Sequence, residues 1–417
     1  MSNMLQKSLY GAAAIGIVIL AIFMLKPQFM DDMKSEGDIK IGMVMGLTGP
    51  IPDLVKPMAD SAQIAISQVN EQGGILGGTL VVPLLDGQCG PQTAVDAVEK
   101  LINVEQVAAI VGEVCSGATI AAAETVAVPA GVTMVSPSAS SPAITTLNDN
   151  DLLFRTAPSD AYQGVALAKF ALENGMTSVA MTYANDDYNV GIATVFRDAF
   201  VKAGGTIVGD QVHEPEKSSY RAELATLAGR GASTLAIFSY YNSGGTTLLR
   251  QSLEMGTFDN YIGADGMAAQ AMVDEIGGAN LKGISWWTAN TVEVENPSYL
   301  AFADILKDAG YDYKPEGPFL ATSYDAMFLA ALAVEKNGST DRAGVSAALR
   351  EVASAPGEII RPGEWKKAAD LIKAGKAINY EGASGSLDFD PAGDVQGVYS
   401  VNIVNDAGEL YSAQTVR

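Results

Sequence analysis

Few side chains in this 417-residue chain are equipped for chemistry, and their scarcity is informative. His213 is the single histidine, and Cys89 and Cys115 are the two cysteines. A His-rich metal centre and an all-cysteine zinc site are therefore excluded, because each needs three or four such ligands. Any histidine-based acid–base step must use His213, which sits in DQVHEPEK beside Glu214 with no nucleophile next to it. It reads as a surface-loop histidine and the chain as a non-enzyme. What remains are small hydroxyls, phenols and acids at the ends of short apolar runs. Ser116 follows VAAIVGEVC, and Ser138 and Ser140 follow VTMV ahead of Pro142. A hydroxyl beside the free N–H groups of a helix start suits a carboxylate. IFSYY ends at Tyr241, and YIGA ends at Asp265. A phenol and a carboxylate together suit an ammonium group. The set describes a receptor for a zwitterion. Taken singly, each serine reads equally as a helix cap, and Asp265 as a turn former before Gly266.

The elements that must position these residues alternate between β-rich runs and helical patterns. IKIGMVMG, TLVVPLLD, VAAIVG and VTMVSPS form one series, and SVAMTYAND, TIVGDQV, TLAIFSYY and YIGADG a second. Apolar runs of this length separated by helices predict parallel strands covered on both faces. Two similar α/β lobes are expected, at roughly 38–157 and 158–289, with ligand outside the carboxyl ends of the strands. No dinucleotide or P-loop glycine pattern follows any strand, so no nucleotide cofactor is expected. Helices around 299–309 and 323–335 and short terminal β runs (386–390 and 398–405) complete the chain.

Charge is lopsided, with 26 Lys and Arg against 48 Asp and Glu. Nucleic acid is thereby excluded as a partner, since phosphate neutralisation needs clustered cations. From Ser8 to Leu25 runs an uncharged segment, SLYGAAAIGIVILAIFML, near the minimum length for a membrane-spanning helix. No A-x-A cleavage pattern follows it, so an uncleaved anchor is expected, a cleaved signal being the alternative. Either way the chain from about residue 38 is exported, to a periplasmic or other extracytoplasmic location. An even cysteine pair there reads as a disulfide, with two separate buried thiols as the alternative.

The stretch DGQCGPQTAVDAVEKLINVEQVAAIVGEVCSGAT resembles the periplasmic leucine/isoleucine/valine-binding proteins, which have the type I periplasmic-binding fold. LTGP, NEQGGILG, SPSASSPAIT, RTAPSDAYQG, SYDA and FDPAGD carry the resemblance through nearly all of the exported chain. It implies two doubly wound α/β lobes joined by three crossing segments. Lobe 1 would be 38–157 plus 290–387, and lobe 2 would be 158–289 plus 388–417. It further implies a disulfide between Cys89 and Cys115. Ser116, Ser138 and Ser140 would hold an α-carboxylate, Ser138 through its backbone. Tyr241 and Asp265 would hold the α-ammonium, with Asp160 and Tyr188 arriving from the second lobe on closure. Where the family commonly has an aromatic after LTGP, this chain has IPDLVK with Leu54 near that place, so branched-chain specificity does not transfer automatically. Glu113 beside Cys115 is a further acid near the site, and 356–385 resembles an elaboration present in a subset of the family.

The function that follows is capture of an amino acid or close analogue and delivery to the permease of an ABC importer, without metal or cofactor. The alternative is a ligand-sensing module of a signalling system built on the same fold.

Overall fold

The computed structural model describes residues 37–416. The expected membrane segment at 8–25 lies outside them, and no helix among the described residues is long and apolar enough to cross a membrane. The strands in chain order are β1 (Ile39–Lys40), β2 (Gly42–Met45), β3 (Leu80–Val81), β4 (Leu84–Asp86), β5 (Ile110–Val111), β6 (Met134–Ser136), β7 (Leu153–Arg155), β8 (Ser178–Ala184) and β9 (Thr206–His213). They continue with β10 (Thr234–Phe238), β11 (Asn260–Gly263), β12 (Ser285–Thr291), β13 (Glu358–Ile360), β14 (Ile378–Gly382), β15 (Gly385–Ser386), β16 (Val398–Val404) and β17 (Leu410–Val416).

Two sheets dominate. The first has five parallel strands in the order β4-β2-β5-β6-β7. The second has seven, in the order β17-β16-β12-β11-β10-β8-β9. Its strands from β8 to β12 are parallel, while β16 runs antiparallel to β12 and β17 antiparallel to β16. β2, β5, β6, β7 and β10 are buried at every position, as strands covered by helices on both faces must be. Their near-continuous apolar character follows from that burial.

Each sheet has one point where strand order reverses. In the first it falls between β2 and β5, and in the second between β8 and β10. The chain passes between the sheets three times, after β7, after β12 and between β15 and β16. Beyond the second passage, helix Leu320–Asn337 is buried on every face from Leu320 to Glu335, against helix Pro52–Glu71 and the first sheet. A helix buried all round belongs in a core, and this one is the spine of its unit, with its buried Asp325 accepting from the Tyr380 hydroxyl and the Ala383 and Ser384 amides.

The stretch 356–385 folds into a three-stranded sheet of β13, β14 and β15 with helix Trp365–Lys373. It docks on that spine through aromatic rings. Phe328 stacks on Tyr380 at 5.1 Å and meets Trp365 edge-on at 5.7 Å. Trp365 Nε1 also donates to the Gly74 carbonyl at 2.9 Å. Of the expected strand over 386–390 only Ser386 is in a strand, as the end of β15, and Asp390 closes a turn by accepting from the Ala392 and Asp394 amides.

Candidate functional site

The residues following the strand ends at both reversal points converge on one cavity. From the first unit come Ile51, Leu54 and Met58 at the start of helix Pro52–Glu71, Val114 and Ser116 after β5, Ser138 and Ser140 after β6, and Phe319 before the spine helix. The second unit contributes Tyr188 after β8, Tyr240 after β10, and Asp265 and Gly266 after β11. About 20 Å³ of free space remains, room for roughly one water. A larger open concavity of about 950 Å³ follows helix Asp160–Glu173 and edge strand β17, away from these strand ends. Size alone would favour it. The placement of polar groups at both reversal points favours the smaller one.

The three serines differ in what their hydroxyls are already doing. Ser138 Oγ donates to the Val114 carbonyl at 2.7 Å, and Ser140 Oγ donates to Asp160 Oδ2 at 3.0 Å. Ser116 Oγ accepts from the Ser141 amide at 3.1 Å, so its own proton is available to an incoming acceptor. Ser116 opens helix Ser116–Ala122.

On the opposite side a hydrogen-bond network fixes an acid. Gln163 Nε2 and Tyr188 Oη both donate to Asp265 Oδ1, at 2.7 and 3.0 Å. The Gly266 amide donates to the Tyr188 oxygen at 3.1 Å. A side chain at 266 would collide with the Ser239 carbonyl, at 2.7 Å from the position of its Cβ, so glycine is required there. Burial pushes the Asp265 carboxyl above its usual range, against the lowering effect of Gln163 and Tyr188. Asp160 is buried just behind, raised well above the usual range by burial and by the charge of Asp265. Asp160 Oδ1 has no partner among the described residues. No Lys or Arg lines the cavity. Arg155 lowers Asp160 in part but is itself paired with Asp394, so two buried acids beside a lining that holds no Lys or Arg favour a positively charged group there.

Ser116, Ser138, Ser140, Tyr188 and Asp265 thus share one cavity, and Asp160 abuts it through Ser140. Tyr241 departs from the expectation. Its neighbour Tyr240 lines the cavity and stacks on Tyr188 at 5.1 Å, while Tyr241 Oη donates to Asp53 Oδ2 at 2.8 Å. The reason is local. β10 ends at Phe238, so both phenols lie beyond the strand, and Tyr241, buried, opens the wide turn Tyr241–Gly245 instead of lining the cavity. His213 is also corrected. It is not on a surface loop but ends β9, 2% exposed, paired in register with Ala184 and bonded through Nδ1 to Thr182 Oγ1 at 2.7 Å. Burial lowers its pKa to about 4.

Sequence reasoning missed Tyr240, Gln163, Ile51, Met58 and Phe319. Gln163 stands inside the motif RTAPSDAYQG and four residues from Ser159, the cap of its helix. Its position in the first turn, beside the cleft, was the available signal.

Cys89 and Cys115 are paired with Cα atoms 5.2 Å apart, within the span of a disulfide. The pairing ties the loop after β4 to the start of helix Ser116–Ala122. Glu113 lies beneath it, accepting from the Val114 and Cys115 amides at 2.8 and 2.7 Å. Burial pushes its pKa up to about 7. Trp286 and Trp287 are absent from the cavity wall; Trp287 is fully buried and Trp286 faces Phe170.

Two α/β units whose strand-order reversals face one cavity, apolar over most of its wall with a few convergent polar groups, define the class of cleft-type binding proteins. The chain belongs to the periplasmic binding protein family, whose model matches residues 38–370. It is 28% identical, over 89% of its length and 88% of the relative's, to the chemotactic signal transduction system substrate-binding protein BasB of Halobacterium salinarum. It is also 28% identical to the leucine-, isoleucine-, valine-, threonine- and alanine-binding protein of Pseudomonas aeruginosa, covering 86% of this chain and 87% of that one. Among solved structures, the leucine-binding protein LivK of Thermotoga maritima superposes with a TM-score of 0.76 at 26% identity, covering 91% of this chain and 99% of that one.

Proposed function

We propose that this chain is an extracytoplasmic solute-binding protein that captures an amino acid or close analogue between two closing lobes and delivers it to an ABC importer. The observation that carries the reading is the polarity of the cavity. Small hydroxyls and a helix start come from one unit, and Asp265, held by Gln163 and Tyr188, comes from the other. The α-carboxylate would take the Ser116 hydroxyl and the backbone around Ser138 and Ser140. The α-ammonium would take Asp265, with Asp160 adding negative potential. Leu54, Met58 and Phe319 would meet the side chain. The lobes are assigned as 38–157 with 290–387 and 158–289 with 388–417.

Closure is the working step. A cavity of about 20 Å³ cannot admit an amino acid without separation of the lobes, so ligand enters an open form and bridges both sides. Its differential affinity for the closed form moves the equilibrium. Tyr241 with Asp53, and Ser141 Oγ with the Asp187 carbonyl at 3.0 Å, bridge the two sides of the cleft and would part in the open form. The permease then reads the closed shape. Residues 8–25 would hold the protein at the membrane, and Cys89–Cys115 would be an oxidised disulfide in that compartment. Nothing in this cycle requires turnover, a metal or a cofactor.

Ligand sensing is the second reading, favoured by the chemotactic relative from Halobacterium salinarum. Both readings share the binding step. Calorimetric titration with the twenty amino acids should reveal saturable 1:1 binding of at least one. Asp265→Ala should abolish it, and undiminished binding by that variant would overturn the ammonium assignment.

A further inference from the structure

We infer that Arg155 is a positioning residue for the carboxylate-binding loop, anchored by Asp394 of the third inter-sheet passage. The inference rests on the binding function proposed above. Arg155 closes β7 and is fully buried. Every one of its five N–H groups has an acceptor. Nε donates to Asp394 Oδ1 at 2.5 Å, and Nη2 donates to Asp394 Oδ2 at 2.8 Å and to Thr145 Oγ1 at 2.6 Å. Nη1 donates to the carbonyls of Ser141, at 2.9 Å, and Ala139, at 3.3 Å.

Those two carbonyls flank Ser140. The Ser140 carbonyl in turn accepts from the Asp160 amide at 2.8 Å. Three consecutive carbonyls are thus held by fixed donors, which sets the conformation of the loop that presents Ser138 and Ser140 to the cavity. Asp394 is itself held. Its amide donates to Asp390 Oδ1 at 3.0 Å, and the Arg155 amide donates to the Gly393 carbonyl at 3.1 Å. Gly393 sits at φ 74°, and a Cβ there would lie 2.6 Å from the Leu153 carbonyl. The FDPAGD turn is therefore stitched to β7, and the guanidinium transmits its position to the serine loop. A planar five-donor fork is essential to this arrangement, and an ammonium on a flexible stem cannot reproduce it.

The test compares L-leucine with L-leucinamide, which lacks the carboxylate, on wild type and Arg155→Lys. We expect the Kd for L-leucine to rise about tenfold or more, with that for L-leucinamide moving by less than about threefold. Amide exchange at Ala139 and Ser141, measured without ligand, should quicken about tenfold while exchange in β10 holds. Equal weakening for both ligands, or unchanged exchange at Ala139 and Ser141, would overturn the inference. Should Arg155→Lys fail to fold, Thr145→Val removes one acceptor of the same guanidinium. A loss of roughly threefold confined to L-leucine supports the assignment, and equal loss for both ligands sinks it. If wild type binds neither probe, the exchange rates alone decide whether Arg155 holds the loop, and if it binds none of the twenty amino acids the functional reading fails as well.

Discussion

The two walls of the cleft are built from the same fold grammar but stock opposite chemistry. Each presents the ends of parallel strands at a reversal of strand order. The first wall offers hydroxyls whose bonds point inward to carbonyls, an amide and one acid, together with a helix start. The second offers a carboxylate gripped by an amide and a phenol. Neutral dipoles cost little to bury once hydrogen-bonded, whereas the paired acids stay costly until a cation arrives. The second wall should therefore dominate affinity and its pH dependence, and the first should set orientation.

That asymmetry has a direct mutational signature. Asp265→Asn keeps the shape and removes the charge, and should weaken binding about a hundredfold or more. Ser116→Ala removes the available hydroxyl and should cost about tenfold. Calorimetry on the two variants decides the matter, and equal losses would mean that the walls share the work.

Protons should report the same difference. Burial raises Asp265, and burial together with Asp265 raises Asp160, so the ligand-free protein holds protons at this wall that a free carboxyl would have lost. An ammonium favours the ionised form, so binding must expel protons, and affinity must fall as pH falls through the raised range. Calorimetry in buffers of different ionisation enthalpy measures this release. Proton uptake, or affinity that does not weaken on acidification, would contradict it.

The adjacent tyrosines separate wall from rim. Tyr240→Ala strips a ring that stacks on Tyr188 and should weaken binding about tenfold. Tyr241→Phe breaks only the bond to Asp53 and should raise the dissociation rate by roughly threefold with the association rate unchanged. Stopped-flow kinetics distinguish the two, and a slower association rate in Tyr241→Phe would mean that Tyr241 meets the ligand early.

How far the site could be read from the sequence follows from the same geometry. Ser116, Ser138, Ser140 and Asp265 stand in the loops two to five residues beyond strand ends, where the rule for open sheets places ligand, and spacing along the chain suffices to bring them to the cavity. Tyr240 and not Tyr241 lines the cavity, a difference the sequence hides because an apolar run does not reveal where its pleat ends. TLAIFSYY continues to look like strand for three residues beyond Phe238. His213 looked like a loop residue because its neighbours Glu214, Glu216 and Lys217 are polar and exposed. Only pairing of β9 with β8, and the ring of Tyr220 edge-on at 5.3 Å, bury it. The Arg155–Asp394 pair, 239 positions apart, has no local signal at all.

Glu113 provides the smallest expected effect on binding and the sharpest contrast with Asp265. Both are buried acids near the strand ends, yet Glu113 is not in the lining of this cavity and spends one oxygen on the Val114 and Cys115 amides. Its other oxygen has no partner among the described residues and lies against Gly87, 2.7 Å from where a Cβ would stand. With its pKa raised from 4.5 to about 7, the folded state binds a proton that the unfolded state releases. Its contribution to stability is therefore full below about pH 4.5 and is lost as pH rises through 7. Glutamine can accept the same two amide bonds without ever ionising. Glu113→Gln should match wild type near pH 5 and exceed it by at most about 3 kcal/mol at pH 8, measured by urea unfolding without ligand. Affinity should stay within about twofold, since no charge facing the cavity has changed. A large loss of affinity in this variant would move Glu113 into the binding wall and undo the division of labour between the two sides of the cleft.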